Sequence, residues 1–313
     1  MSHKHMCRIP IERLIPRYRW KCSNVLENCI HGLRGKTVIM PNATCPVSQI
    51  ASKALSSIGL QVRTPIVDYK SFSVVRSYAE SFVLNWKGPP LHAIVHHCSP
   101  LDLDTIESFS HTENDHERLT QITFLSPVLL TQVLSTRLSK GSRVISVASM
   151  AHRFVDDSST SILSALQTQQ RADGYNGWKA LCTSNAALIA WSHEANRRIQ
   201  PRRGIAFTVA QLGPSKSLLE RMGAPSSIIS QIIKSDEERA ATLVWAVVSK
   251  ELELFGEGRG GIFLENCSVQ TAEPPAVRSQ SGEEESFAQG TCPFVHDATL
   301  GREIWDYAQR AVR

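Results

Sequence analysis

Three polar residues in the middle of the chain have the types and spacing of a proton-transfer site. Ser149 ends the apolar segment "SRVISVAS", and "YNGWK" follows 26 residues later with Tyr175 and Lys179 four positions apart. Residues four apart lie on one face of a helix, where a lysine ammonium can lower the pKa of a phenol. Such a phenol exchanges a proton with a substrate oxygen that a serine hydroxyl also holds. This spacing predicts Ser149, Tyr175 and Lys179 as catalytic residues.

Apolar segments alternate with amphipathic segments along the chain, which predicts strands and helices in turn. The predicted strands are "KTVIM", "GLQV", "LHAIVHH", "SRVISVAS", "GIAFTVAQL" and "GGIFLENC". Helical spacing predicts five helices. The first lies after Met40 and ends near Ser57, and the others are "FSVVRSYAESFVLNW", "ERLTQITFLSPVLLTQVLSTRL", "NGWKALCTSNAALIAWSHEANRRI" and "SDEERAATLVWAVVSKEL". Strands separated by helices of this length predict a mostly parallel sheet with helices on both faces.

The length of 313 residues, of which 42% are hydrophobic, suits a single α/β domain with extensions. We expect an N-terminal extension over residues 1–33 and one domain over 34–313. Within that domain, residues 155–174 are predicted to form a short helix over a substrate cleft, and residues 270–291 are predicted to form a polar loop.

The charge and the cysteines exclude several classes of protein. The 34 basic and 29 acidic residues are mostly scattered, which favours a solvated surface over a nucleic-acid interface. The eight cysteines are dispersed, which argues against a metal site and for reduced thiols. No segment reaches the roughly 18 uninterrupted apolar residues of a membrane span. We therefore expect a cytoplasmic protein with no metal.

Several motifs together resemble the short-chain dehydrogenase/reductase family, in its retinol-dehydrogenase-like branch, over about residues 34–313. They are "LRGKTVI", "VDYKSFSVVRSYAESF", "VISVASMAHRF", "YNGWKA", "EERAATLVWAVVS", "GGIFLENC" and "REIWDYAQ". The resemblance implies a Rossmann-like doubly wound sheet with a shortened region around its second and third strands. It also implies that Ser149, Tyr175 and Lys179 are the catalytic serine, tyrosine and lysine. A homodimer or homotetramer through the helices near 120–138 and 175–198 would follow from the same resemblance.

The dinucleotide site of that family is altered in this chain. Its three turn glycines align with Asn42, Pro46 and Ser48, whose side chains fill the space that pyrophosphate needs, and Pro46 lacks an N–H. Arg63 is placed to meet a 2′-phosphate and Asp68 matches an adenine-contacting aspartate, although a surface arginine and a helix-capping aspartate are the simpler interpretations. We therefore expect no bound cofactor, with these positions at most vestigial and NADP(H) the cofactor if they still bind one.

Further family positions are changed around the expected cleft. The segment "HHCS" replaces "NNAG", Thr123 takes the place of a catalytic asparagine, Leu212 precedes Gly213 in place of "PG", and Ser217 stands where a threonine usually meets the nicotinamide. A histidine at a strand end is more often a hydrogen-bonded rim residue than an acid or base. The predicted pocket residues are His97, Thr123, Met150, His152, Trp178, Leu212 and Ser217.

Three functions remain open on the sequence. The first is a cofactor-independent acid–base enzyme that isomerises, cyclises or dehydrates a small hydrophobic carbonyl compound, as in secondary metabolism. The second is an NADP(H)-dependent oxidoreductase with an atypical phosphate site. The third is a catalytically inactive member that acts by binding a partner.

Overall fold

The computed structural model describes residues 19–27, 29, 32–97, 106, 108–155, 159–214, 216–221, 225–254, 262–270, 291 and 293–313. Its strands are β1 (Thr37–Ile39), β2 (Gln61–Arg63), β3 (Leu91–His96), β4 (Leu138–Val147), β5 (Ala206–Gln211), β6 (Ile262–Glu265) and β7 (Ser268–Gln270). Its helices are α1 (Cys22–Leu26), α2 (Pro46–Ser57), α3 (Phe72–Asn85), α4 (Arg118–Thr120), α5 (Ser126–Leu134), α6 (Ser159–Thr168), α7 (Gly177–Arg203), α8 (Lys216–Arg221), α9 (Ser226–Ile232), α10 (Asp236–Val248), α11 (Glu251–Leu254) and α12 (Ala298–Ala311). A π-helical turn, Gln121–Leu125, joins α4 to α5, and 3-10 turns cover Ser135–Arg137, Met150–Phe154 and Pro293–His296.

The strands form one sheet in the order β2-β1-β3-β4-β5-β6-β7. All neighbouring strands are parallel except β6 and β7. This confirms the predicted doubly wound, mostly parallel α/β fold. The hairpin to β7 was not predicted; its two turn residues, Asn266 and Cys267, both have positive φ angles, of 52° and 56°, as a tight hairpin turn requires.

Apolar side chains cover both faces of the sheet. One layer contains side chains of α3, α5, α7 and α12, and the other contains side chains of α1, α2, α10 and α11. The described part of the N-terminal extension packs with the second layer, since the Arg19 guanidinium donates to Glu238 Oε2 at 3.0 Å and Val25 is buried. Residues 1–18 and 271–290 of the predicted extension and polar loop lie outside the described residues.

Helix α7 is central to one layer and is covered within the chain. Every residue from Cys182 to Asn196 is buried, and the indole of Trp305 in α12 stacks on that of Trp191 with 5.8 Å between centroids. A subunit contact through this part of α7 would therefore have to displace α12. The homodimer or homotetramer stays a prediction.

The helical stretch Arg118–Arg137 is long and apolar enough to cross a membrane. However, 72% of its most apolar 18-residue window is buried inside the protein, where α5 packs against α3. Its hydropathy is that of a core helix, and it is the single stretch of this kind among the described residues.

Candidate functional site

The strand order reverses between β1 and β3, because β1 is followed by β2 on one side while β3 is followed by β4 on the other. Open α/β sheets bind ligands outside the carboxyl ends of the strands at such a point. The turn after β1 and His97 after β3 therefore form the first candidate site.

Asn42 fixes the turn after β1. Its backbone has a φ of 56°, a left-handed conformation that asparagine tolerates better than most residues. Its side-chain amide donates to the Val67 carbonyl at 2.8 Å and its Oδ1 accepts from Val67 N at 2.9 Å. Both ends of the side-chain amide are thus used to hold the turn against the segment that follows β2.

A thiol, a hydroxyl and an imidazole meet at the start of α2. Ser48 Oγ lies 2.5 Å from His97 Nδ1, and Cys45 Sγ lies 3.3 Å from Ser48 Oγ and 3.7 Å from His97 Nδ1. Ser48 is 0% exposed and His97 is 4% exposed, whereas Cys45 is half-buried. Burial, and next the positive charge of Arg239, lower the pKa of His97 to about 4. The imidazole is therefore neutral near pH 7 and can accept a proton.

These residues do not fit the diphosphate of a dinucleotide. Pro46 occupies the first turn of α2, where it supplies no N–H, and Ser48 fills buried space that the family leaves to glycine. The Arg63 guanidinium lies over the Trp86 ring at 5.0 Å, and the exposed Asp68 accepts from Lys70 N at 2.9 Å. The simpler interpretation of Arg63 as a surface arginine agrees with its contact. Asp68 does not cap a helix, because the N-cap of α3 is Ser71, whose side chain accepts from Val74 N.

Ser149 lies at the end of β4, as predicted, and is the N-cap of the turn Met150–Phe154. Its Oγ accepts from Ala151 N at 3.2 Å. Its backbone N–H donates to Asn185 Oδ1 at 2.7 Å, so Asn185 is the α7 residue that meets the serine.

Tyr175 is hydrogen-bonded elsewhere. Its hydroxyl oxygen lies 3.1 Å from Glu117 Oε1 and 3.2 Å from the Ile106 carbonyl oxygen, two acceptors that share its single proton. Burial, and next the charge of Glu117, raise the pKa of Tyr175 above its usual range. This phenol is held in its protonated form by a carboxylate instead of being activated by an ammonium.

Lys179 lies in the first turn of α7, is exposed, and donates from its backbone N–H to Asn176 Oδ1 at 2.9 Å. Asn176 is the N-cap of α7, so Tyr175 precedes the helix and does not share a helical face with Lys179. Among the described residues, no hydrogen bond joins Tyr175 to Lys179 or to Ser149. The structure thus does not bring the predicted catalytic set together.

The contact between Ser149 and Asn185 shows which positions of α7 lie next to the serine. A lysine in the position of Asn185 and a tyrosine one turn before it, in the position of Leu181, would share the helical face that meets the serine. The chain has an amide and an aliphatic side chain there, and Asn185 Nδ2 donates to the Leu181 carbonyl at 2.8 Å. The sequence analysis missed these two positions; the N-cap signal in "YNGWK", an asparagine before the helical run, indicates that the helix begins after Tyr175.

The other predicted pocket residues are mostly core. Met150 and Leu212 are 1% and 2% exposed, and Thr123 is buried in the π-helical turn. His152 is fully buried; its Nδ1 donates to the Ser149 carbonyl at 2.7 Å, and burial, followed by Arg153, lowers its pKa to about 3.

Three predictions remain: Trp178, Ser217 and the insertion at residues 155–174. Trp178 is half-buried, and its ring lies 5.7 Å from that of Phe154. The side chain of Ser217 lies outside the described residues, as do residues 156–158 of the predicted insertion, which does contain the helix α6. Within the described part of the chain, no group of three His, Cys, Asp or Glu side chains is arranged to hold a metal.

No family model matches the chain. It is similar to the WW domain-containing oxidoreductase of Danio rerio, with 31% identity over 271 residues that cover 79% of this chain and 61% of that protein. It is also similar to oxidoreductase calI of Penicillium decumbens, with 29% identity over 214 residues that cover 62% of this chain and 56% of that protein. The chain thus spans about three fifths of the length of these curated relatives.

A solved short-chain dehydrogenase from Burkholderia cenocepacia, in complex with NADP, has the same fold. The TM-score is 0.51 at 17% sequence identity, and the match covers 75% of this chain and 98% of that chain. At this identity the likeness concerns the fold alone.

Proposed function

The chain is a divergent member of the short-chain dehydrogenase/reductase family, and on that premise we propose that it transfers no hydride and works as a small-molecule-binding protein on an oxidoreductase scaffold. The observation that carries this proposal is the position of Asn185, whose Oδ1 accepts from the backbone N–H of Ser149 at 2.7 Å. An amide therefore lies on α7 next to the serine, and among the described residues neither the Tyr175 hydroxyl nor the Lys179 side chain is hydrogen-bonded to it.

Among the described residues, Ser149 has neither a phenol nor an ammonium beside it for proton transfer. A phenol that serves as acid or base must lie within hydrogen-bond reach of the substrate oxygen that the serine holds. Tyr175 lies before the start of α7, and Asn185 is eight residues into the helix, about 12 Å along its axis. The cofactor-independent acid–base enzyme predicted from Ser149, Tyr175 and Lys179 has no assembled site for the same reason, so a binding function has the better support.

The turn after β1 supports the proposal independently. Asn42, Pro46 and Ser48 stand at the positions that align with the three turn glycines, and Asn42 and Ser48 use their side chains in contacts within the protein. Losing the proton donor alone would leave a protein that can still bind a dinucleotide. The altered turn argues against dinucleotide binding as well.

An NADP(H)-dependent oxidoreductase is the second candidate. It is favoured by the names of the curated relatives and by the NADP complex of the structural neighbour. On this view the chain would need a different set of groups to hold the phosphates and to donate the proton.

Calorimetric titration of the purified protein with NADPH and with NADH tests the proposal. An absorbance scan of the denatured supernatant first checks for nucleotide carried over from expression. We expect no binding up to millimolar nucleotide and no NADPH oxidation with aldehyde or ketone substrates. A dissociation constant near 1 μM, about 8 kcal/mol of binding free energy, would overturn the proposal in favour of the oxidoreductase. NADPH-dependent turnover that co-purifies with the protein would do the same, and its loss in Ser149→Ala would assign it to this serine.

A further inference from the structure

We propose that Cys45 is the nucleophile of a covalent binding site for soft carbon electrophiles of the α,β-unsaturated carbonyl class, with Ser48 and His97 as the groups that take its proton. The inference rests on the proposed function in one respect, namely that no dinucleotide occupies the turn after β1.

Cys45, Ser48 and His97 lie in a row that runs from the half-buried thiol to the buried imidazole. Cys45 is half-buried, the most exposed of the three. Ser48 and His97 lie behind it and are buried, with Ser48 Oγ 3.3 Å from Cys45 Sγ and 2.5 Å from His97 Nδ1. A proton can therefore pass from the thiol to the hydroxyl and the imidazole within hydrogen-bonding distances.

The position of His97 suits a proton acceptor. Its Nδ1 lies 2.5 Å from Ser48 Oγ and 3.7 Å from Cys45 Sγ. Burial lowers the pKa of the ring to about 4, so the ring is neutral at pH 7 but is a weaker base than a free imidazole. A neutral imidazole beside a thiol is the usual means of activating a cysteine nucleophile.

The position in the fold suits a ligand site. Cys45 is the N-cap of α2, a helix of 12 residues. The residue also lies at the point where the strand order reverses, the usual ligand position of such sheets.

The proposed step is a conjugate addition. The Sγ–H bond breaks, a bond forms between Sγ and the β-carbon of the ligand, and the π electrons of the C=C bond move to the α-carbon. The proton held by Ser48 and His97 then goes to that α-carbon, which gives a saturated thioether. No oxidant or reductant is consumed.

The other described cysteines provide internal comparisons. Burial raises the pKa values of Cys22 and Cys267 to about 11, and Cys182 is buried in α7. Cys29 is half-buried like Cys45 but has no described serine or histidine side chain as a hydrogen-bond partner. It is the matched control thiol.

The test is a time course of alkylation by N-ethylmaleimide below one equivalent, with each cysteine followed by peptide mass spectrometry. We expect Cys45 to react at least about tenfold faster than Cys29, a modest part of the roughly 10²-fold that positioned acid–base groups supply. Ser48→Ala and His97→Gln should remove most of this difference, and Cys29→Ser should leave the rate at Cys45 unchanged. Equal rates at the two thiols in the wild-type protein would overturn the inference, and this comparison needs no variant that folds.

The same assay separates the two proposals. Repeated with 1 mM NADPH, it should give an unchanged rate at Cys45. Protection by NADPH would contradict the proposed function, because a dinucleotide would then occupy the turn, while a fast reaction in its absence would still support the thiol site. A rate at Cys45 that neither Ser48→Ala nor His97→Gln lowers would refute the role of these two residues.

Discussion

Acid should destabilise this protein strongly, and His96 shows why. His96 lies in β3 and is 2% exposed, with Nδ1 3.2 Å from the Tyr69 hydroxyl and Nε2 2.8 Å from Thr131 Oγ1. One ring nitrogen donates and the other accepts, so the neutral imidazole satisfies both contacts. Burial lowers its pKa from 6.5 to about 3.

The size of the effect follows from the two pKa values. Between pH 6.5 and about 3 the unfolded chain binds a proton at His96 that the folded protein does not, so the free energy of unfolding falls as the pH falls. At pH 5 the difference is about 1.5 pH units, or about 2 kcal/mol. Above pH 7 the imidazole is neutral in both states and contributes no pH dependence.

The assay is urea unfolding of the wild type and His96→Gln, followed by tryptophan fluorescence at pH 9, 7 and 5. The variant lacks the titrating group, so its loss of stability from pH 7 to 5 should be smaller than that of the wild type by about 2 kcal/mol. The range from pH 9 to 7 is the control, in which the two proteins should change in parallel. If they also change in parallel from pH 7 to 5, His96 is protonated in the folded state and the reasoning is wrong.

Other buried histidines act in the same direction. Their pKa values are also lowered by burial; they are His92, His97, His152, His193 and His296. Four of them and His96 have pKa values of about 3 to 4. At about 2 kcal/mol each by pH 5, these five groups together reach about 10 kcal/mol, which lies within the 5–15 kcal/mol that typically stabilises a domain. The wild-type protein should therefore unfold before the pH reaches 4.

Two further substitutions test single contacts. Tyr175→Phe removes the hydroxyl that donates to Glu117. Because the buried carboxylate loses a donor, the free energy of unfolding measured in urea should fall by about 1–3 kcal/mol. An unchanged midpoint of urea unfolding would contradict this. Arg143→Met removes the buried guanidinium that donates to the Ala246, Val247 and Ser249 carbonyls at the end of α10. It should lower the free energy of unfolding by at least about 1–3 kcal/mol, because buried carbonyls lose their donor. A loss below about 1 kcal/mol would show that other donors replace it.

The fold was predictable because each element carries its own periodic signal. The apolar run before Met40 and the β-branched run before Ser149 are strands wherever they occur in an α/β chain. The exceptions were short elements. β7 has three residues and depends on a turn at Asn266 and Cys267, neither of which is a glycine that would mark such a turn.

The site was less predictable because it depends on where helices begin and which loops meet. Tyr175 and Lys179 have the right spacing, yet the cap at Asn176 places Tyr175 outside the helix. The contact of Cys45 with His97 joins residues 52 positions apart, and nothing local to either one marks it. It exists because β1 and β3 are neighbours in the sheet.

Strand β2 ends the sheet on one side, and its shape has a consequence for self-association. A free strand edge offers unpaired N–H and C=O groups to other chains. Here the edge has three residues, it ends in the charged Arg63, and Pro65, which lacks an N–H, follows soon after. A second chain that paired with β2 would find few backbone N–H and C=O groups to bind. We therefore expect little tendency of this protein to form fibrils through the β2 edge.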